Sequence, residues 1–173
     1  MNRLPLKNIT RIIVAILLQV LIFKQISLGG NDFNYFHLLI YPVAIMLLPI
    51  DLPSVVVLFI AFFTGMLVDA FYDSPGLHAG ALVLMAFIRP IVLRILAPDS
   101  GYSKTTFPVA SNFGLLWYVQ YSSALLTIFL FTYFSLEAFT FVYITSIVLK
   151  TFFSFIASFA IILLHQIIMN PKS

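Results

Sequence analysis

Long apolar runs, almost free of charge, dominate this chain and limit what it can fold into. A helix needs about 20 apolar residues to cross the roughly 30 Å hydrocarbon core of a bilayer. Six segments meet or approach that length, at residues 9–28, 33–48, 54–71, 77–96, 113–134 and 139–169. None shows the strict alternation of a transmembrane β-strand. The sequence therefore predicts an all-α, polytopic membrane bundle of about six helices, in one domain over residues 1–173.

The composition also indicates that lipid, not water, surrounds most of the surface. Hydrophobic residues make up 62% of the chain and charged residues 9%, whereas a soluble domain carries roughly 45–50% apolar and about 25% charged residues. A chain this short cannot hide the excess in a core. With no cysteine, disulfides and thiolate metal sites are excluded. The basic residues are too dispersed for a nucleic-acid surface.

Two of the six segments allow a second interpretation. Residues 1–30 resemble a signal peptide, with basic residues before an apolar run, but the run is long enough to span, so we expect an uncleaved first helix. The second segment is short and contains Pro42, which predicts a kinked or partly re-entrant path. If it does not cross, five spans remain.

The basic residues predict the orientation. In the six-span arrangement both termini share one side, and one basic residue, Lys24, falls on the opposite side. The side of the termini collects Arg3, Lys7, Arg11, Arg94, Lys104 and Lys172. Lys and Arg concentrate on the cytoplasmic side of membrane proteins. We therefore expect a multi-pass protein of the bacterial inner membrane with both termini in the cytoplasm.

Three charged residues fall inside the predicted spans: Asp69, Arg89 and Lys150. A charge at the bilayer centre costs at least about 2.5 kcal/mol and usually faces other helices. These residues either form a relay or substrate site, or pair with one another and with free carbonyls to fix helix packing; we favour the second. Pro90 frees a carbonyl four residues earlier, and the Arg89 guanidinium has donors to satisfy it.

Two stripes of polar or small residues recur at helical spacing. They predict faces turned toward protein, because such residues allow close helix approach and interhelical hydrogen bonds. The stripes comprise Ser146, Lys150, Ser154 and Ser158 in the sixth segment, and Arg11, Ala15 and Gln19 in the first.

Signals for catalysis are weak. His37, His78 and His165 lie in different segments without carboxylates at metal-ligand spacing. Asp69 and Asp73 are four residues apart, but Asp73 falls in a predicted turn, so a shared metal site is a minor alternative. We predict no catalytic residue, no metal and no cofactor.

Residues 62–102 resemble one known family. Phe62-Phe63-Thr64-Gly65-Met66-Leu67-Val68-Asp69, followed by Pro75-Gly76-Leu77-His78-Ala79, is similar to the central signature of MreD, the bacterial rod shape-determining membrane protein. Met85-Ala86-Phe87-Ile88-Arg89-Pro90, with Pro98 and Gly101-Tyr102, resembles Bacteroidetes-type versions. Outside this stretch the likeness is one of hydropathy.

The resemblance implies a place in the machinery of cell elongation. MreD-like proteins associate with MreC, a bitopic protein with a large extracytoplasmic domain. Together they are linked to the MreB filament and to peptidoglycan synthases. It also implies a fold similar to the S components of vitamin transporters. No catalytic residue is carried over.

Within the motif, Gly65 and Asp69 match the paired Gly and Asp of the family, and Gly76 matches its turn glycine. Gly65 and Asp69 share a helix face, so Gly65 can admit a neighbouring helix. The first amides of the next helix, around Leu77 to Ala79, lack intrahelical partners and attract an anion. We therefore expect Asp69 to cap that helix.

Three functions remain open at this point. The first is a non-catalytic scaffold of the elongation complex, with Gly65, Asp69, Gly76, His78, Arg89, Pro90 and Lys150 as structural or interaction residues. The second is a vitamin-like binding or transport subunit, with a pocket lined by Asn31, His37, His78 and Trp117. The third is a membrane enzyme.

Overall fold

A computed structural model describes residues 3–22, 36–99, 101–102 and 106–169, and all regular structure in these ranges is helical. A 3₁₀ turn, Phe141–Tyr143, directly precedes the helix at residues 144–169. In chain order the α-helices are α1 Arg3–Leu21, α2 Pro42–Met46, α3 Ser54–Tyr72, α4 Leu77–Ile95, α5 Ala110–Phe113, α6 Leu115–Ala138 and α7 Ile144–Met169.

Among the residues that the structure describes, four helices are long and apolar enough to cross a membrane: α3, α4, α6 and α7. The predicted all-helical membrane fold is confirmed, whereas the predicted count of about six spans is not. Helix α1 begins at Arg3, six residues before the predicted first span, and its apolar part is the short stretch Ile12–Leu21. The rest of that predicted span, which includes Lys24, lies outside the described residues, and so do Asn31, Lys104 and Lys172. The side chains of Arg3, Lys7 and Arg11 lie outside the description as well.

Helices α3 and α4 form a tight hairpin, and α4 and α6 form the centre of the bundle. Both central helices bury long rows of side chains, including Leu82 and Met85 on α4 and Leu125 and Phe129 on α6. Helices α1, α3 and α7 keep large apolar side chains exposed on their outer faces. An apolar exterior is what a lipid environment requires.

The predicted second span is not a helix over its described part. Residues 36–41 are largely irregular, and α2 lasts only from Pro42 to Met46. Proline is favoured in the first turn of a helix and disfavoured in its interior, so Pro42 suits the start of α2 and Pro49 disfavours its continuation. Residues 36–49, called the buried segment below, are almost wholly enclosed by the helices.

The buried segment still runs along much of the bundle. Tyr41 contacts His78 at the start of α4, whereas Leu48 contacts Arg89, eleven residues further along the same helix. At about 1.5 Å per residue these two contacts are roughly 16 Å apart. An apolar sequence thus passes through the bundle with little helix of its own.

Side chains bind the carboxyl end of α4. At its carboxyl end, the Tyr102 hydroxyl donates to the Leu93 carbonyl at 2.7 Å, and the Trp117 indole donates to the Leu96 carbonyl at 2.7 Å. Burial raises the pKa of Tyr102 above its ordinary value. These bonds satisfy carbonyls that the end of a helix leaves without partners.

Candidate functional site

Asp69, near the end of α3, binds the start of α4 through its carboxylate. One oxygen accepts the His78 amide at 2.9 Å; the other accepts the amides of Ala79 at 3.0 Å and Gly76 at 3.2 Å. The Ser74 hydroxyl donates to the same group at 3.1 Å. Asp69 is buried, so these charge-assisted bonds replace its lost hydration. The predicted cap at the start of α4 is therefore present.

Gly65 allows α3 and α4 to approach closely beside this cap. A Cβ atom added at Gly65 would lie 2.7 Å from the Ala79 nitrogen and closer still to its Cα atom. Because the obstructing atoms are backbone, no side-chain rotation relieves the clash. Gly65 thus sets the helix separation at which the Asp69 carboxylate reaches the α4 amides.

The turn between the two helices uses left-handed backbone at two positions. Asp73 ends α3 with φ 53°, and Gly76 precedes α4 with φ 88°. A residue without a Cβ adopts positive φ at little cost, which accounts for glycine at position 76. The turn brings the Gly76 amide back to Asp69 and closes the hairpin.

His78 is completely buried among aromatic rings at the same end of α4. Its Nδ1 and the Tyr41 hydroxyl share a hydrogen bond of 2.8 Å. The imidazole also contacts the rings of Tyr72 and Tyr133, with centroids 4.9 and 4.7 Å away. His78 thus joins the hairpin to the buried segment and to α6.

Arg89 is buried in the carboxyl-terminal half of α4 and binds the carboxyl-terminal end of the buried segment. Its Nη2 donates to the carbonyls of Leu48 and Pro49, and its Nε donates to the Tyr121 hydroxyl at 3.0 Å. Tyr121 in turn donates to the Met46 carbonyl at 2.8 Å. The guanidinium therefore satisfies two carbonyls of the non-helical backbone that follows α2.

This arrangement corrects one prediction in detail. The sequence predicts that Arg89 binds the carbonyl that Pro90 frees within α4, but the described hydrogen bonds of Arg89 go to Leu48, Pro49 and Tyr121. Pro90 lies on an exposed face, and α4 continues through it as a helix. Arg89 still binds carbonyls, and it does so between elements that are distant in sequence.

Gln19 of α1 binds the irregular start of the buried segment. Its amide nitrogen donates to the Leu38 carbonyl at 2.8 Å, while its amide oxygen accepts the Ile40 amide at 2.8 Å. The same nitrogen donates to the Tyr72 hydroxyl at 2.8 Å. One side chain thus serves both kinds of backbone group and links α1 to α3.

Two serines of α7 serve the remaining amides of this stretch. Ser154 accepts the His37 amide at 3.0 Å, and Ser158 accepts the Leu39 amide at 3.0 Å. Non-helical backbone at membrane depth is tolerated only where protein satisfies its polar groups. Gln19 of the predicted α1 stripe, and Ser154 and Ser158 of the predicted α7 stripe, therefore face protein and bind this backbone. The Arg11 side chain lies outside the part of the chain that the structure describes.

Lys150 differs from its prediction. It lies in the second turn of α7, not at mid-span, and pairs with neither Asp69 nor Arg89. Its ammonium group is 2.9 Å from the Glu137 carboxylate at the end of α6, and both side chains are partly exposed. The pair ties the α6–α7 connection together at the same end of the bundle as Asp69.

The pocket predicted for a vitamin-like ligand is not assembled by the described residues. His78 lies at the start of α4, whereas Trp117 binds Leu96 just beyond its end, about 27 Å away along the helix. Two cavities, between α6 and α7 and between α1 and α7, have neither His37, His78 nor Trp117 in their walls.

The described residues also contain no group of three His, Asp or Glu side chains placed to hold a metal ion. Both carboxylate oxygens of Asp69 accept hydrogen bonds from donors of the α3–α4 turn. This arrangement does not favour the minor alternative, a metal site shared by Asp69 and Asp73. These buried polar side chains form hydrogen bonds with backbone amides and carbonyls.

Sequence reasoning missed two participants. Tyr121 gave no signal beyond being one of many aromatic residues, although it connects Arg89 to Met46. The sequence predicts a kinked or partly re-entrant span over residues 33–48, which does not identify the backbone of residues 37–40 as the partner of Gln19 and Ser158. The spacing of Pro42 and Pro49 was the available signal.

No family model, curated protein or solved structure matches this chain.

Proposed function

We propose that this protein is a non-catalytic scaffold of the bacterial cell-elongation complex. In this role it sits in the inner membrane with both termini in the cytoplasm. It binds an MreC-like bitopic partner, through which it is coupled to the MreB filament and to peptidoglycan synthases.

The carrying observation is that the residues behind the family resemblance form one structural unit. Gly65, Asp69 and Gly76 meet at the α3–α4 turn, where Asp69 accepts three α4-side amides and Gly65 admits Ala79. The residues of the motif are therefore explained by packing, without a substrate: they fix the distance between α3 and α4. A rigid hairpin is what a scaffold must offer to a partner helix.

The use of the buried charges also favours a scaffold over a membrane enzyme. Asp69 and Arg89 are both almost completely buried, and both are engaged with backbone groups or a tyrosine hydroxyl. A general acid or base must reach a substrate proton within hydrogen-bonding distance. Asp69 and Arg89 form their described hydrogen bonds within the protein, which favours a structural role for both.

The proposal is tested by co-expressing the tagged protein with the MreC-like protein of the same host and purifying it from solubilised membranes. We expect the bitopic partner to co-purify in constant proportion with the wild type and with Asp69→Asn, and to be lost with Asp69→Leu. A single-span membrane protein of unrelated function serves as the control. Absence of the partner from wild-type preparations, or its equal recovery with Asp69→Leu, would count against the proposal.

The same preparation distinguishes the vitamin-binding alternative. A ligand that binds the folded state raises the unfolding temperature with concentration. The scaffold proposal expects no shift across a panel of vitamins, and a saturable shift with one of them would favour the alternative.

A further inference from the structure

The connection between α6 and α7 carries an exposed apolar cluster. Phe139 is 91% exposed, Val142 82% and Tyr143 61%. These three residues, called the tip below, lie between the last residue of α6 and the first residue of α7. Exposure of this size means that no other described part of the chain covers them.

The backbone holds the tip in a defined conformation. Phe139 ends α6 with φ 52°, a left-handed conformation that a bulky residue rarely adopts and that glycine usually supplies at the end of a helix. Its amide donates to the Ser135 carbonyl at 3.2 Å, and the Val142 amide donates to the Thr140 hydroxyl oxygen at 3.3 Å. An exposed aromatic ring thus stands where glycine fits best, which points to a contact of the ring outside the bundle.

Two residues of α6 mark where the hydrocarbon core of the bilayer ends. Trp117, whose indole binds the Leu96 carbonyl just beyond α4, is of a type that concentrates at the membrane–water interface. The Glu137 side chain is 32% exposed, and a charged group is costly inside hydrocarbon. Glu137 follows Trp117 by twenty positions, which is about 30 Å of helix. This length equals the thickness of the hydrocarbon core.

The tip therefore begins just outside the hydrocarbon core. Phe139 lies two positions beyond Glu137, about 3 Å along the helix axis. The headgroup layer is roughly 5–7 Å thick on each side, because a bilayer measures about 40–45 Å with its headgroups and about 30 Å without them. The chain thus places the tip within the headgroup layer, short of the water beyond it.

The chemistry of the tip fits this layer through apolar contact. Glu137 and Lys150, the charged residues that flank the tip, pair with each other at 2.9 Å, so together they add no net charge. Tyrosine is enriched in the headgroup layer, and apolar side chains insert at the boundary between headgroups and acyl chains.

We propose that the tip is an interfacial anchor that inserts into the headgroup layer of a phospholipid bilayer. Phe139, Val142 and Tyr143 contact the upper part of the acyl chains and hold the α6–α7 hairpin at a fixed depth in the membrane. The partner is the lipid surface itself, so the anchor is independent of any protein that the scaffold binds.

The anchor is tested by the depth of a spin label on the full chain. The chain contains no cysteine, so one introduced cysteine carries the only label. Labelled Val142→Cys is reconstituted in vesicles of dioleoylphosphatidylcholine, where collisions with oxygen and with a water-soluble nickel chelate report depth. Asp99→Cys, at an exposed position beyond α4, and Phe152→Cys, at an exposed position on α7, give the reference values for water and for hydrocarbon.

We expect the Val142 label to lie between the two references, within about 7 Å of the hydrocarbon boundary. A label as accessible to nickel as the one at Asp99 overturns the anchor. Exposure in these vesicles combined with protection in native membranes also overturns it, and assigns the tip to a protein contact. Tyr143→Cys repeats the measurement at a second exposed position, so a folding failure of Val142→Cys does not prevent the test.

Phe139→Gly tests the ring itself. Glycine adopts the left-handed conformation of position 139 readily, so this variant removes the ring without straining the backbone. We expect the Val142 label to become more accessible to nickel in this variant. Phe87→Ala is the matched control, because it removes an exposed ring from the middle of α4 and should leave the label unchanged. An unchanged label in Phe139→Gly, or an equal change in Phe87→Ala, contradicts the anchor.

Discussion

Asp69 and Ala79 lie on opposite helices of the α3–α4 hairpin, and the Asp69 carboxylate accepts the Ala79 amide at 3.0 Å. The same oxygen accepts the Gly76 amide, and its neighbour accepts that of His78. A buried carboxylate is stabilised here by the unpaired amides of a helix start. The carboxylate supplies acceptors to amides that would otherwise be unpaired, and the amides supply donors to a charge that would otherwise be buried without partners.

Removing the carboxylate should weaken the hairpin in a graded manner. Asp69→Leu leaves buried amides without acceptors, and each costs about 1–3 kcal/mol, so we expect a loss of at least about 3 kcal/mol in the free energy of unfolding. Asp69→Asn retains one acceptor oxygen and should lose less. Reversible unfolding in mixed micelles measures both. Wild-type stability in Asp69→Leu would show that the cap has no energetic weight.

A single methyl group at Gly65 should force α3 and α4 apart. The added Cβ meets the Ala79 backbone, and overpacking of this kind costs about 1–3 kcal/mol. Gly80→Ala is the matched control, because its Cβ meets only the Leu136 side-chain tip at 3.1 Å. We expect Gly65→Ala to unfold more easily than the wild type and Gly80→Ala to resemble it. Similar losses in both variants would contradict the close approach.

Two tyrosines on α6 offer a paired test of the Arg89 network. Tyr121 bonds to Arg89 and Met46, whereas the equally buried Tyr118 hydroxyl has no hydrogen-bond partner in the described structure. Tyr121→Phe leaves a donor and an acceptor unpaired and should cost about 1–3 kcal/mol. Tyr118→Phe removes an unsatisfied group and should be neutral or stabilising. The reverse order in unfolding measurements would refute this assignment.

Two buried glutamines provide the same comparison for the buried segment. Gln19 bonds to Leu38, Ile40 and Tyr72, whereas both polar atoms of Gln166 lack described hydrogen-bond partners. Gln19→Leu should destabilise the fold by several kcal/mol, because backbone groups lose their partners. It should also speed hydrogen exchange at Ile40. Gln166→Leu should leave stability unchanged or raise it; a larger loss in Gln166→Leu would refute the role of Gln19.

The contrast between the hairpin and the buried segment shows what a sequence of this kind reveals. The cap by Asp69 and the approach at Gly65 follow from residues within fifteen positions of each other, so helix periodicity was enough to predict them. The partners of Gln19, Ser158 and Arg89 lie on other elements. No local pattern encodes a pairing between Ser158 and Leu39.

The path of residues 36–49 was harder to predict for a further reason. In a membrane protein, hydropathy marks what is buried, and a buried irregular segment is as apolar as a spanning helix. Pro42 and Pro49 limited the helix between them, but only the polar side chains of other helices make the irregular path possible. The sequence predicts interhelical contacts for these polar residues, whereas Gln19, Ser154 and Ser158 bind the backbone of the buried segment.

The central claim, that this chain scaffolds bacterial cell elongation, is tested most directly by cell width and length after depletion of the protein in its rod-shaped native host. The account predicts that depleted cells become round, that wild type and Asp69→Asn restore rods, and that Asp69→Leu does not. Rods of normal width after complete depletion would contradict it.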